Sequence, residues 1–471
     1  MERRQRLVLA IAVLASFVAF LDGSVINVAL PAITDELGGG LALQQWVVDA
    51  YLITLGSLIL LAGSLSDVFG RIVVLRFGLV GFGIASVLCA IAPTGEFLIV
   101  SRALQGIAGA LLVPSSLAII LSNFRDAAQA KAIGQWTAWT GGAFIAGPLL
   151  GGIFVDLLSW RLVFAINIVP IVITLWLLSR LGQRDERQVG VRVDYLGAVL
   201  GVVGLGAPVF ALIEQGNLGW RDPLIWGTML VGVLAFVAFI VRQRLATNPI
   251  MPLGLFSIRN FSVGNVATVA FYAALSLGGF VVTVYLQQSA GYTATAAGAA
   301  FLPVTLLSIA LSSFFGGLAG RYGPRLFMAV GPVLAGIGYL LMLGIDTDAA
   351  YLTDVLPGVL VFGLGLSVTV APLTAAILGS ISVSQAGIGS AVNNAISRIA
   401  GLVAIALIGV IVGPSLDGMG FERGVLVTAA LFFAAAIVSA VGIRNPSTAR
   451  AAKPVPVPAT TMPLPRQQSQ C

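Results

Sequence analysis

Three charged residues stand in runs where charge is costly. Asp22 interrupts a largely apolar run from Leu7 to about Pro31, Asp49 lies in a second run near 44–63, and Arg102 lies in a fourth near 97–120. Read as helices, these runs place Asp22 about 15 residues from the start of its helix. At ~1.5 Å per residue that is well inside a bilayer. Asp49 and Arg102 fall about five residues below the outer ends of theirs, or ~7 Å. An acid at such a depth costs roughly 2.5–3.5 kcal/mol on insertion scales, so it faces a cavity or a partner. Burial favours the neutral acid and a nearby Arg favours the charged one, so such a pair can take up and release a proton. The expected chemistry is proton transfer, with Asp22 or Asp49 as carrier and Arg102 tuning it. The alternative is a static polar cluster that locks the helices, with Asp49 wetted at the outer interface.

The elements that hold these residues follow from composition. Of 471 residues 58% are hydrophobic and 9% charged, against about 25% charged in a soluble domain. Mean hydropathy is +1.02. The net charge of +6 comes from basic residues scattered over short loops, which argues against a nucleic-acid partner. There is no histidine, so a histidine metal site or a Ser-His-Asp triad is excluded, and no catalytic residues or metal ligands are assigned. Cys89 and Cys471 make no disulfide framework. The first run is too long for a signal peptide and reads as a retained helix. A span needs about 20 apolar residues. Further runs lie near 72–92, 133–155, 162–180, 195–213, 223–241, 261–286, 296–319, 325–344, 352–379, 388–412 and 424–442, fourteen in all. With the N-terminus inside, alternation puts nearly all Lys and Arg on the inner side and leaves only Arg161, Arg221 and Arg423 outside. Such a bias marks the cytoplasmic face, so both termini are expected in the cytoplasm of a multi-pass cell-membrane protein.

A repeat divides the chain. Gly63-Ser64-Leu65-Ser66-Asp67-Val68-Phe69-Gly70-Arg71 returns 253 positions later as Gly316-Gly317-Leu318-Ala319-Gly320-Arg321-Tyr322-Gly323-Pro324, each time between two apolar runs. Repeats of this kind indicate a chain built from related units. The expected fold is an all-α integral membrane protein with 14 transmembrane helices, two six-helix pseudo-repeat bundles plus two inserted helices. The expected domains are a first bundle over 1–181, the inserted pair with its connectors over 182–260, a second bundle over 261–443 and a disordered tail over 444–471. That plan is the one of the major facilitator transporters.

The motifs sharpen the likeness. Leu21-Asp22-Gly23-Ser24-Val25-Ile26-Asn27-Val28-Ala29-Leu30-Pro31, the Gly63 to Arg71 turn, Arg102-Ala103-Leu104-Gln105-Gly106, and Gly147-Pro148-Leu149-Leu150-Gly151-Gly152 occur in that order. Together they resemble the first-helix, loop, fourth-helix and fifth-helix signatures of the fourteen-span drug:proton antiporter family of the major facilitator superfamily, over about residues 7–443. Trp160, Arg161, Phe164 and Asn167 fit the same family. Gly134 falls where the antiporter motif begins, and Ala143 replaces one of its usual glycines. Trp46-Val47-Val48-Asp49-Ala50-Tyr51 resembles members that export cationic compounds. The resemblance implies a secondary active transporter, not an enzyme, that exports drugs or other amphipathic small molecules in exchange for protons. It implies a lipophilic or cationic substrate, no cofactor beyond the proton, a lipid bilayer as surroundings and a monomer. A dedicated exporter of one metabolite, lipid or antibiotic is the alternative, and a proton-coupled importer a more distant one.

Other residues take supporting roles. Pro148 removes a backbone donor, so a kink is expected in the fifth helix. Gly151 and Gly152 allow a close helix contact. Asp67 and Arg71, with Asp126 as partner of Arg71, are expected to form a cytoplasmic latch between gating states. Gly320 replaces the Asp in the second copy. Arg398 is read as a structural residue near the cytoplasmic end of its helix, and helices seven and eight as peripheral.

Overall fold

The structure is a computed structural model that describes residues 3–182, 193–246, 249–382, 385–413 and 416–445. The side chains of Asp67, Asp126, Ala127, Ala130, Ala138, Phe144 and Ile145 lie outside the described residues, as does nearly all of the expected tail. Fourteen helices are long and apolar enough to cross a membrane. They are α1 (Arg3–Leu37), α2 (Gly40–Ser66), α3 (Arg71–Ala90), α4 (Gly95–Asn123), α5 (Lys131–Leu157), α6 (Leu162–Leu181), α7 (Tyr195–Leu218), α8 (Pro223–Leu245), α9 (Arg259–Gln288), α10 (Ala294–Tyr322), α11 (Pro324–Gly344), α12 (Tyr351–Leu378), α13 (Ala386–Val412) and α14 (Gly418–Gly442). The described residues contain no strand.

The internal repeat is visible in the packing. Helix α1 packs on α4, α5 and α6, α2 on α4, and α3 on α4 and α6. Eight helices later, α9 packs on α12, α13 and α14, α10 on α12, and α11 on α12 and α14. The repeated turn is the same backbone twice, with Gly70 at φ 101°, ψ 138° and Gly323 at φ 86°, ψ 153°. Only glycine adopts such a conformation without strain, which is why Gly70 and Gly323 recur in register. The second turn is clamped by Asn445. Its side chain accepts from Arg325 N–H at 3.1 Å and donates to the Tyr322 carbonyl at 3.3 Å.

Contacts between the six-helix sets follow the same pseudo-symmetry. Helix α2 packs on α13, α5 on α10, and α1 on α9. The first two pairs exchange when the sets are interchanged, and the third maps onto itself. One end of this seam is closed. Gln45 Nε2 donates to the carbonyls of Ile405 and Ala406 at 2.6 and 3.1 Å. On the α5 side, the Asp156 carboxylate accepts from Ala294 N–H and Thr295 N–H at 3.0 and 2.8 Å. A carboxylate there satisfies the unpaired amides and the positive dipole end that begin α10.

Helix α7 departs from the sequence reading. It packs on both α2 and α13, where Val209 and Ile213 join Ile53, Leu402 and Ala406 in one apolar cluster. Trp46 Nε1 donates to Glu214 Oε1 at 2.7 Å. So α7 covers the seam between the sets and is not peripheral. Its apolar residues looked lipid-facing because sequence periodicity cannot say which neighbour a uniformly apolar helix meets. Helix α8 leans on α7 and leaves large apolar residues such as Trp226, Leu230 and Leu234 exposed, as a lipid-facing helix does. Glu214→Ala should cost about 1–2 kcal/mol by stranding the Trp46 N–H. Paired with Trp46→Phe, the loss in thermal unfolding of the detergent-purified protein should be less than the sum of the two single changes.

Candidate functional site

Asp22 on α1 meets Arg102 and Gln105 on α4 and Asn167 on α6, with α3 supplying a hydroxyl from Ser86. Arg102 Nη1 donates to Asp22 Oδ2 at 2.7 Å and to Gln105 Oε1 at 2.6 Å. Its Nε donates to the Val47 carbonyl at 2.9 Å. Gln105 Nε2 and Asn167 Nδ2 donate to Asp22 Oδ1 at 2.9 and 3.0 Å, and Gln105 also donates to Ser86 Oγ at 2.9 Å. The residues Asp22, Ser86, Arg102, Gln105 and Asn167 are all fully buried. The guanidinium lies 4.3 Å from the Tyr51 ring centroid and 5.7 Å from that of Phe164. Each carboxylate oxygen is therefore engaged, and the cation has an anion, two neutral acceptors and two aromatic faces. A buried ion pair is tolerated when neighbouring groups supply such hydrogen bonds.

Local sequence explains the assembly. Arg102 and Gln105 are three apart on α4, so they share a face. Gly106 follows because a Cβ there would strike Thr54 Oγ1 and the Tyr51 carbonyl, and α2 must come close for Val47 to accept from Arg102. The fourth-helix motif thus combines an ion pair, its relay amide and the glycine that admits the neighbouring helix. Asn167 and Phe164, noted in the sequence only for family likeness, belong to the same cluster. Ser86 was missed; a serine inside the apolar run of α3 was its only signal. Nearby, Trp160 Nε1 and Arg161 Nη1 both donate to Glu36 at 2.6 Å, joining the ends of α1 and α6.

Asp49 stands apart. It lies nine residues into α2 and is fully buried, which goes against the alternative of an Asp49 wetted at the outer interface. Neither carboxyl oxygen has a hydrogen-bond partner among the described residues. It is two residues along α2 from Val47, which anchors Arg102. Depth estimates from sequence were short because α2 and α4 begin at Gly40 and Gly95, some two to four residues earlier than the apolar runs indicate.

The fifth-helix glycines form a seam. Helix α5 is interrupted at Gly142, ahead of Pro148, where the Ala143 carbonyl accepts from Ser24 Oγ at 3.0 Å. A Cβ at Gly147 or Gly151 would strike Ser24, Val25 or Val28 on α1. One at Gly152 would strike Ala294 and Thr295 on α10, and one at Gly298 would strike the Pro148 carbonyl. The motif therefore lets α5 touch α1 within one set and α10 in the other. Gly134 is exposed and outside this seam. Gly63 has open space around it. Arg71 Nη1 donates to the Ala118 carbonyl at 3.3 Å. The Asp67 and Asp126 side chains, expected in the latch, lie outside the described residues.

A cavity of about 640 Å³ lies between the two sets, lined by α1, α2, α4 and α5 on one side and α9, α10, α11, α12 and α13 on the other. Its wall includes Phe20, Ser24, Asn27, Trp136, Tyr272, Asn393 and Arg398. Arg102 lines it too, whereas Asp22 and Asp49 do not. Asn393 Nδ2 donates to Asn265 Oδ1 and Thr268 Oγ1 at 3.0 and 2.9 Å. Arg398 contradicts its sequence reading. It is twelve residues into the 27-residue α13 and faces the cavity at mid-span. The run at 388–412 already put Arg398 ten residues in, so the depth was legible in the sequence; that it faces a cavity depends on the helices around α13.

The family model of the Major Facilitator Superfamily matches residues 12–405. The chain belongs to the Major Facilitator Superfamily. It is 34% identical over 410 residues to the puromycin resistance protein pur8 of Streptomyces alboniger, a match covering 85% of this chain and 80% of that one. It is 34% identical over 414 residues to the methylenomycin A resistance protein of Bacillus subtilis strain 168, covering 86% and 87% respectively. The fold superposes on a POT family transporter, solved in complex with 5-aminolevulinic acid, with a TM-score of 0.70 at 14% identity, covering 93% of this chain and 95% of that one. Membership in this transporter superfamily makes the protein a multi-pass membrane transporter.

Breaking the central pair from one side should be the worst change. Arg102→Leu leaves the Asp22 charge buried without its cation, a loss of roughly 3–5 kcal/mol. The double change Asp22→Asn with Arg102→Gln should unfold at a higher temperature than Arg102→Leu alone, as followed by thermal unfolding in detergent.

Proposed function

We propose that this transporter exports amphipathic small molecules, drugs among them, in exchange for protons by alternating access. The resistance named in its relatives supports export. The observation that carries the exchange reading is the buried Asp49 carboxyl without a partner, two residues from the Val47 carbonyl that anchors Arg102. A carboxylate buried alone is far costlier than the neutral acid, so Asp49 is suited to hold a proton in this state. Asp22, by contrast, accepts from three donors, the Arg102 guanidinium among them. Movement of α2 against α4 would disturb the Val47 anchor of Arg102 and so alter what faces Asp49. This couples the protonation of α2 to its position.

The proposed location is the cell membrane with both termini in the cytoplasm, in keeping with the Lys and Arg bias of the loops. On that orientation the closed end, held by Gln45 and Asp156, is the outer one, and the cavity loads from the cytoplasm. Opening outward then requires the Gln45 bonds and the Asp156 cap to break together. Both cross the seam, so one rigid movement of the two sets serves both. The protein is proposed to act as a monomer with the proton as its only coupling ion. One charge crossing ~100 mV yields about 2.3 kcal/mol, enough to hold a substrate gradient of roughly tens-fold at ~1.4 kcal/mol per decade.

The test is substrate-triggered proton release from inverted vesicles with an imposed pH gradient, screening lipophilic cations, tetracyclines, anionic and neutral apolar drugs. Asp49→Asn is expected to lower the response at least tenfold while substrate binding persists. Full coupling in both Asp49→Asn and Asp22→Asn would sink the exchange reading. Gly152→Leu, which forces α5 from α10, is expected to slow transport at least tenfold without abolishing binding.

A further inference from the structure

The cavity carries an unbalanced charge. Of its lining residues among those described, only Arg102 and Arg398 are charged, and none is an Asp or Glu. Arg102 is matched by Asp22 at 2.7 Å. Arg398 has no ion pair or hydrogen-bond acceptor among the described residues; its guanidinium carbon lies 5.7 Å from the Phe20 ring centroid. It reaches from α13 across the seam, packing its stem by Gly56 on α2 and its tip by Gly23 on α1, where a side chain would come within 3.9 Å of its nitrogen. Cationic side chains at mid-span are rare and otherwise pair or serve a ligand. Beyond the Phe20 ring, nothing among the described residues pairs with this one.

We infer that Arg398 is the recognition residue for an oxyanion on an amphipathic substrate, a carboxylate or sulfonate on an apolar or aromatic body. This rests on the export reading above and names its substrate class. A guanidinium presents paired N–H donors that fit such an oxyanion, which an ammonium does not match. Asn394, one turn earlier on α13 and lining the same cavity, offers a further amide donor on the same face. The rings of Phe20, Trp136 and Tyr272 supply the apolar wall for the body of the molecule. A lipophilic cation, the class that the second-helix motif resembles, would enter a cavity whose uncompensated charge has its own sign.

The test uses probes of fixed charge that cannot shuttle protons themselves: naphthalene-2-sulfonate, neutral N,N-dimethylnaphthalene-2-sulfonamide and the 2-naphthyl-trimethylammonium cation. Binding is read by calorimetry on the full chain, and transport by proton release from phosphatidylcholine vesicles. The expected result is that the sulfonate binds at least tenfold tighter than the other two. Arg398→Ala should lose that tenfold and still bind the neutral probe as wild type does, which confirms a folded cavity. Arg398→Lys, which keeps the charge but not the paired donors, should keep only part of it. Equal or tighter binding of the cation, or undiminished sulfonate binding in Arg398→Ala, overturns the inference. If the sulfonate binds through Arg398 but releases no protons, the oxyanion site stands and the exchange reading fails. Competition by added phosphatidylglycerol assigns the oxyanion to a lipid headgroup, and its absence assigns it to a solute; either result keeps Arg398 as the oxyanion site.

Discussion

The buried pair of Asp22 and Arg102 is the constraint on which the first six-helix set depends. Each charge alone would cost several kcal/mol in the bilayer, and neither helix would be placed stably without the other. Satisfying both requires more than contact between α1 and α4. Gln105 and Asn167 must fill the second carboxylate oxygen, Val47 must present its carbonyl to Nε, and Ser86 must take the remaining amide proton. Five helices are thereby fixed around one ion pair. In a membrane, where apolar burial gives little preference for one helix neighbour over another, such polar closure sets the register.

Glycines provide the complement. Gly106 admits α2 to α4, Gly147 and Gly151 admit α1 to α5, and Gly152 with Gly298 admits α10 to α5. The ion pair fixes one set internally, while the last of these contacts crosses to the other set. It lies beside the Asp156 cap on α10 and opposite the Gln45 bonds to α13. The seam is thus made of close backbone contacts and a few hydrogen bonds rather than of large interlocking side chains. Surfaces of that kind can part and meet again at modest cost, which suits the proposed alternating access. The inserted α7 packs on both α2 and α13 across the same seam.

The two sets divide the polar work unequally. The first holds both intramembrane acids and balances its Arg with one of them. Among the described residues the second holds no acid within the cavity wall and presents Arg398 as its one charged group there. An anion leaving a negatively charged interior moves down the membrane potential, about 2.3 kcal/mol per ~100 mV, so an unpaired cation in the cavity and outward transport are energetically compatible. Proton handling in one set and substrate recognition in the other would let a single rigid-body movement link the two.

The sequence by itself determined the number of helices, their order, the repeated turn and the fourth- and fifth-helix motifs. These are local properties: runs of apolar residues long enough for a bilayer, a glycine wherever φ must be positive, and short spacings along one helix face. It also pointed to Asp22 and Arg102, because charge inside an apolar run is costly whatever surrounds it. Only the tertiary structure decided which acid is paired and which is alone. Asp22 and Asp49 look alike in sequence, yet Asp22 gains three donors from two distant helices and Asp49 none among the described residues. The same holds for Arg398 and α7. In a chain apolar on nearly every face, hydropathy fixes depth only roughly and says nothing of which side meets protein, lipid or cavity; that depends on neighbours hundreds of residues away.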